Sequence, residues 1–190
     1  SLFESGESTG EVSFNDILNG KDISGVSKLS LEDIASVIVR GGWPAAIFVE
    51  SDAKYRFAKE YVKSLIHEEV KNIDGVERNP EKMQNVLRSL ARNISTQVSN
   101  STIEGDIKNS FDDDISRPTL SDYLNTLEKL FVIEDVNVTN LNFRSKYALR
   151  TKPKKYFVDP SIATAILDIK PSDLINDLNT FGFMFESLCM

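Results

Sequence analysis

The sequence predicts a mainly α-helical chain with one small β-hairpin, and three observations carry that expectation. Apolar residues recur at the 3.6-residue period through most of the chain up to Leu130. Helix-capping residues stand in front of those periodic runs. β-Branched and aromatic residues concentrate only afterwards, in "FVIEDVNV" and again in "KYFVDP".

Residues 1–28 read as a polar connector holding one short amphipathic piece, "VSFNDILNG". The first firm helix opens at "SLEDIASVIVRGG". Ser30 and Asp33 have capping-box spacing, Ile34, Val37 and Ile38 form the buried stripe, and Gly41-Gly42 stops the run. Pro44 then suits the first turn of a second helix, where its missing N–H is not needed. A longer helix is expected from about Asp52 to Val70, with Phe57, Tyr61 and Leu65 spaced by four, and the turn "NIDGVERNP" ends it.

Asn79 and Pro80 start the next helix, in which Met83, Val86, Leu87, Leu90, Ala91 and Ile94 keep helical period. In "STIEGDIKNSF", Ser101 and Glu104 repeat the capping-box spacing, and Ile103, Ile107 and Phe111 share a face. Thr119 and Asp122 are expected to cap a helix that buries Leu120, Tyr123, Leu124, Leu127 and Leu130. A strand follows from Phe131, with a bulge or bend expected at Glu134-Asp135, where the alternation slips. A long basic loop leads to the second strand, and Pro160 and Ser161 open the helix "SIATAILD". From Pro80 the order is thus three helices, strand, loop, strand, helix, which is the layout of a winged helix.

At 190 residues and 41% hydrophobic, the chain can bury roughly 70% of its unfolded surface. No apolar run approaches the ~20 residues of a membrane-spanning helix, so no membrane partner is expected. A single cysteine, Cys189, excludes an intrachain disulfide framework and fits a cytoplasmic location. It has no zinc-ligand companion and reads as a small core residue. The formal charge of −7 excludes bulk attraction to polyanions, so any nucleic-acid contact must come from a local basic patch. The first residue is not methionine, and Met190 stops an amphipathic segment in mid-run, so an internal fragment of a longer protein is expected.

One such patch exists. Arg144, Lys146, Arg150, Lys152, Lys154 and Lys155 fall within twelve positions, with Phe143 and Tyr147 between them. That density suits phosphate contacts, and hence DNA. The alternative is a solvated hairpin paired with Asp112, Asp113 and Asp114, or contact with another domain of the parent protein. The outer face of the helix before the hairpin carries Asp122 and Glu128, which would repel phosphates. His67 is the only histidine and reads as a helix-surface residue. No "GxxxxGK[ST]" phosphate loop occurs, and no carboxylate spacing marks a catalytic pair.

Five stretches, "GGWPAAI", "LRSLARNIS", "RPTLSDYLNTLEKLFVIEDV", "FRSKYALRTKPKKYFVDPSIA" and "FGFMFESL", together resemble one known family. It is the region that follows the nucleotide-binding core in a group of prokaryotic AAA-type ATPases, a region long labelled a domain of unknown function. The resemblance implies four segments: connector 1–28, a helical lid over 29–78, a winged-helix domain over 79–170, and the start of a nuclease-like domain over 171–190. It implies that Gly42, Trp43 and Pro44 lie near the adenine nucleotide, with ATP bound by the parent protein and no cofactor held here. It makes the ATPase core of the same protein the expected partner, and the winged helix a regulatory or docking surface. Glu186 would match the first acidic position of the nuclease metal site. Without the resemblance, "GGWP" is a helix stop followed by a helix start, and "FGFMFESL" is a core-facing stripe of Phe181, Phe185 and Leu188 with Glu186 solvated.

Overall fold

The computed structural model describes residues 2–137 and 153–190. Among them the chain is mainly helical, with one two-stranded antiparallel sheet. Helix α1 (Phe14–Leu18) buries no residue. Helix α2 (Leu31–Arg40) starts on the expected capping box: Ser30 Oγ accepts the Asp33 N–H at 3.1 Å, and the Asp33 carboxylate accepts the Ser30 N–H at 2.9 Å. Helix α3 (Pro44–Ile47) begins on its proline. A 3-10 turn (Asp52–Tyr55), α4 (Arg56–Ser64), a π turn (Leu65–Glu69) and α5 (Val70–Asn72) then form one continuous helical run. In α6 (Pro80–Arg92), Asn79 Oδ1 accepts the N–H groups of Glu81 and Lys82 at 2.8 and 3.1 Å.

Two helices begin earlier than the capping spacing places them. Helix α7 (Asn100–Phe111) is capped by Ser99 rather than Ser101. Helix α8 (Arg117–Lys129) is capped by Ser116 rather than Thr119. In the second case Pro118 falls in the first turn, where a proline costs no hydrogen bond, so the extra turn is available.

The change from α8 to strand, made without glycine, is a Schellman closure. The Phe131 N–H donates to Glu128 O at 3.0 Å and the Val132 N–H to Leu127 O at 2.9 Å. Phe131 takes the left-handed conformation at φ 53° and stands 80% exposed, while Val132 is fully buried against the core. Strand β1 (Ile133–Val136) then pairs with β2 (Lys154–Phe157) from Ile133 opposite Phe157 to Val136 opposite Lys154. The pairing is continuous, so the expected bulge at Glu134-Asp135 is absent. Asp135 instead faces Lys155 directly and accepts its Nζ at 2.7 Å, which lets an acidic residue stay in register. On its other edge β2 bridges Thr96: the Ser95 N–H donates to Lys155 O at 2.9 Å, and the Lys155 N–H to Thr96 O at 3.1 Å.

Helices α9 (Pro160–Ile166), α10 (Pro171–Asn176) and α11 (Leu178–Cys189) complete the described chain. Helix α9 packs on α2, α4 and α6, while α10 and α11 pack on α2. One buried cluster therefore runs from Ile38 through Leu87 and Leu127 to Ile162 and Met184. On α11 the buried positions are Phe181, Met184 and Ser187; Phe185 is exposed, so the core stripe lies one position away from the expected one. Cys189 is exposed rather than in the core, because it sits at the last residue of that helix. Among the described residues no helix is long and apolar enough to cross a membrane.

A buried guanidinium ties the turn after α5 to α8. The Arg78 side chain is 2% exposed and donates to both carboxylate oxygens of Asp74 (2.9 and 2.7 Å) and of Asp122 (2.8 and 3.0 Å). Its bonds hold the Asp74 carboxyl down at about 2. Arg78→Ala should cost about 2–3 kcal/mol in urea unfolding, and Arg78→Lys should recover only part of it because an ammonium cannot reproduce the two-armed geometry. Asp74 titrates lower folded than unfolded, so its contribution is complete above about pH 4 and fades as pH falls toward 2. In the Arg78→Ala variant that part of the acid dependence should vanish. Phe131→Gly should raise stability by about 0.5–1 kcal/mol by relieving the left-handed strain at an exposed position.

Candidate functional site

The sequence-predicted residues Gly42, Trp43 and Pro44 meet the start of α9, more than a hundred positions away in the chain. Asp159, the N-cap of α9, accepts the Ser161 N–H on Oδ1 at 2.8 Å and the Gly42 N–H on Oδ2 at 2.7 Å. The Trp43 indole N–H donates to Ser161 Oγ at 2.9 Å. The Trp43 ring lies 5.0 Å from that of Tyr61 on α4, tilted by 44°. Three side chains thus lock the α2–α3 turn onto α9.

Gly41 is what allows the approach. Its φ of 74° and ψ of −173° lie in a region open essentially to glycine alone. A Cβ there would stand 2.3 Å from Ser161 Oγ and 2.6 Å from Asp159 Oδ1. Gly42 is less constrained, since its Cβ would meet Asp159 Oδ2 at 3.5 Å. As a helix stop the two glycines are equivalent; the demand on Gly41 comes from a partner that sequence spacing does not reveal.

Beside the lock is a shallow recess of about 330 Å³, lined by Trp43, Pro44, Tyr61, Val158, Asp159 and Ile162 among others. Among the described residues no basic side chain lines it. Its chemistry suits a flat apolar or aromatic group with a donor for Asp159, and does not suit a phosphate.

A second cluster joins β2 to α11. Glu186 Oε1 accepts Lys154 Nζ at 2.7 Å and also the Tyr156 hydroxyl. The ammonium foremost, then the phenol, lowers the Glu186 carboxyl below its ordinary range. Burial, reinforced by the Glu186 charge, pushes the Tyr156 phenol up to about 12. Ser95 Oγ, next to the Thr96 bridge, donates to Phe183 O at 2.8 Å and fastens the same helix from another side.

Of the six predicted phosphate-contacting residues, Lys154 and Lys155 are described, and both hold internal ion pairs, with Glu186 and Asp135. Arg144, Lys146, Arg150 and Lys152 lie outside the described residues. In the acidic run, Asp113 pairs with Lys82 at 3.1 Å. His67 is exposed, as expected, on the π turn. Among the described residues no group of three His, Cys, Asp or Glu is placed to hold a metal.

A family model described as "Domain of unknown function (DUF8612)" matches residues 31–173. The chain belongs to that family. No curated protein and no solved structure matches it. The DUF8612 span opens on the first residue of α2 and closes within α10. It therefore contains both halves of the Gly42–Asp159 lock and the sheet, while Glu186 lies beyond it.

The two glycines give a direct check on the lock. Gly41→Ala should destabilise the DUF8612 chain by about 2 kcal/mol or more, and Gly42→Ala by much less. Trp43 is the chain's single tryptophan, so its emission should shift in the first variant and stay close to wild type in the second.

Proposed function

We propose that the chain is the lid and winged-helix part of an AAA-type P-loop ATPase, a non-catalytic docking module that couples nucleotide state to the C-terminal helix. Three features support the reading. From Pro80 the elements run helix, helix, helix, strand, strand, with Thr96 bridging the outer edge of β2, as a winged helix requires. The "GGWP" turn resembles the lid signature whose proline packs near adenine. The recess beside Pro44 is apolar and aromatic, suited to a base whose phosphates are held elsewhere.

The observation that carries the proposal is the double use of Asp159. The same carboxylate holds the turn that would sense the nucleotide and the N-terminus of α9, which directly follows β2. Any shift of Trp43 and Pro44 under a bound core is therefore passed to β2, and through Lys154, Tyr156 and Glu186 to α11. A ligand moves such an equilibrium only as far as its affinities for the two states differ.

The test uses Trp43 emission to follow binding of the chain to the ATPase core of its parent protein, loaded with ADP or with a non-hydrolysable ATP analogue. The expected result is an affinity ratio of roughly 5–150 between the two loads, the ordinary range of allosteric coupling. Asp159→Ala should bring the ratio close to one while binding persists. Equal affinities in the wild-type chain would refute the coupling.

A further inference from the structure

A single peptide group stands between the N-terminal segment and the Asp159 lock. The carbonyl of Gly41 and the N–H of Gly42 belong to one rigid amide plane, so they point in opposite directions and turn together. The N–H donates to Asp159 Oδ2 at 2.7 Å. The carbonyl accepts Arg40 Nε at 3.1 Å. Through Nη1 the same guanidinium donates to Glu7 Oε1, 33 positions upstream. Bonds at the two ends of one amide polarise it in the same sense and strengthen each other.

The ion pair is sheltered: the Arg40 and Glu7 side chains are 11% and 14% exposed. Burial alone would raise the Glu7 carboxyl, but the bonds from Arg40 and Ser5 outweigh it and leave the group below its ordinary range. The segment that carries Glu7 adds nothing to the core, since none of residues 2–30 is buried. Beneath it lies a cavity of about 530 Å³, bounded by residues between 2 and 12 and by 25–29 on one side. Ile34 and Val37 of α2 and Phe185 and Leu188 of α11 bound it on the other. A segment laid over unfilled space, with few buried apolar contacts, belongs to the parts of a protein that open locally while the core stays folded.

We propose that the Glu7–Arg40 pair is a releasable clasp through which the N-terminal segment sets the α2–α3 turn. Closed, it keeps the guanidinium on the Gly41 carbonyl and the Gly42 N–H aimed at Asp159. When the segment lifts, a sheltered cation loses its anion, and the penalty for that sends Arg40 out to water. The amide is then free at its carbonyl end, and rotation about its plane withdraws the N–H from Asp159. The same movement opens the face that bears Phe185 and Leu188. Arg40 acts here as a positioning residue for the lock. The device is internal to this chain and stands whether or not the turn senses a nucleotide.

Hydrogen exchange of the Gly42 amide in the whole chain, followed by NMR, tests it. Glu7→Gln keeps the side chain's shape and removes its charge. It should speed exchange at Gly42 by about tenfold or more, while the amides of the buried Leu87 and Leu127 keep their wild-type rates. Glu11→Gln, at an exposed carboxylate bordering the same cavity, should leave all three unchanged. In an Asp159→Ala background the Gly42 N–H has already lost its acceptor, so adding Glu7→Gln should change its rate by less than about twofold. A Gly42 rate that does not respond to Glu7→Gln, or that rises only in step with Leu87 and Leu127, would overturn the proposal. An equal response to Glu11→Gln, or full additivity with Asp159→Ala, would do the same.

Discussion

Asp159 holds the described chain together at the point where its early and late parts meet. Each oxygen of its carboxylate accepts one backbone N–H, one from the turn after α2 and one from the first turn of α9. Charge-assisted bonds of this kind are roughly twice as strong as neutral ones. Their geometry also dictates neighbours. The turn must come close enough for the Gly42 N–H to reach Oδ2, which leaves no room for a side chain at Gly41. The indole of Trp43 is then brought onto Ser161 and Tyr61. Helix α9, fixed at its start, packs on α2, α4 and α6.

Local rules made much of this legible. Capping boxes, proline at a first turn and apolar periodicity located α2, α3, α6 and α8, and β-branched density located both strands. What escaped was non-local or conformational. Ser99 and Ser116 outcompete nearby capping candidates because an earlier start adds two or three residues to each helix. The left-handed Phe131 carries no sequence mark, since glycine is the usual signal for that closure and is missing here. Gly42, Trp43 and Pro44 were legible as a motif, but Asp159 and Ser161 were not legible as their partners. Only long-range packing joins them.

Charge tells a similar story of partners hidden by sequence distance. Lys154 and Lys155 belong to the densest basic run in the chain, yet each already faces a carboxylate: Glu186 across to α11 and Asp135 across the sheet. Glu186 in turn sits under an ammonium and a phenol. A carboxylate so held serves first to fasten α11 to β2. Meanwhile Lys63, which lies on α4 away from that run, has no ion-pair partner among the described residues. Local density along the chain is a poor guide to which charges remain available in space.

The scale of the lock bears on whether it can take part in a switch. Two charge-assisted bonds to Asp159 and one neutral bond from Trp43 together amount to a few kcal/mol net, since each such bond contributes about 0.5–3 kcal/mol after exchange with water. Ligand-driven coupling between sites is typically about 1–3 kcal/mol. The two magnitudes are comparable. A much stronger lock would hold α9 in one position whatever touched Trp43 and Pro44, and a much weaker one would let the turn move without taking α9 along. An interaction of this size can be shifted by a bound partner and still hold the chain in one state when the partner is gone.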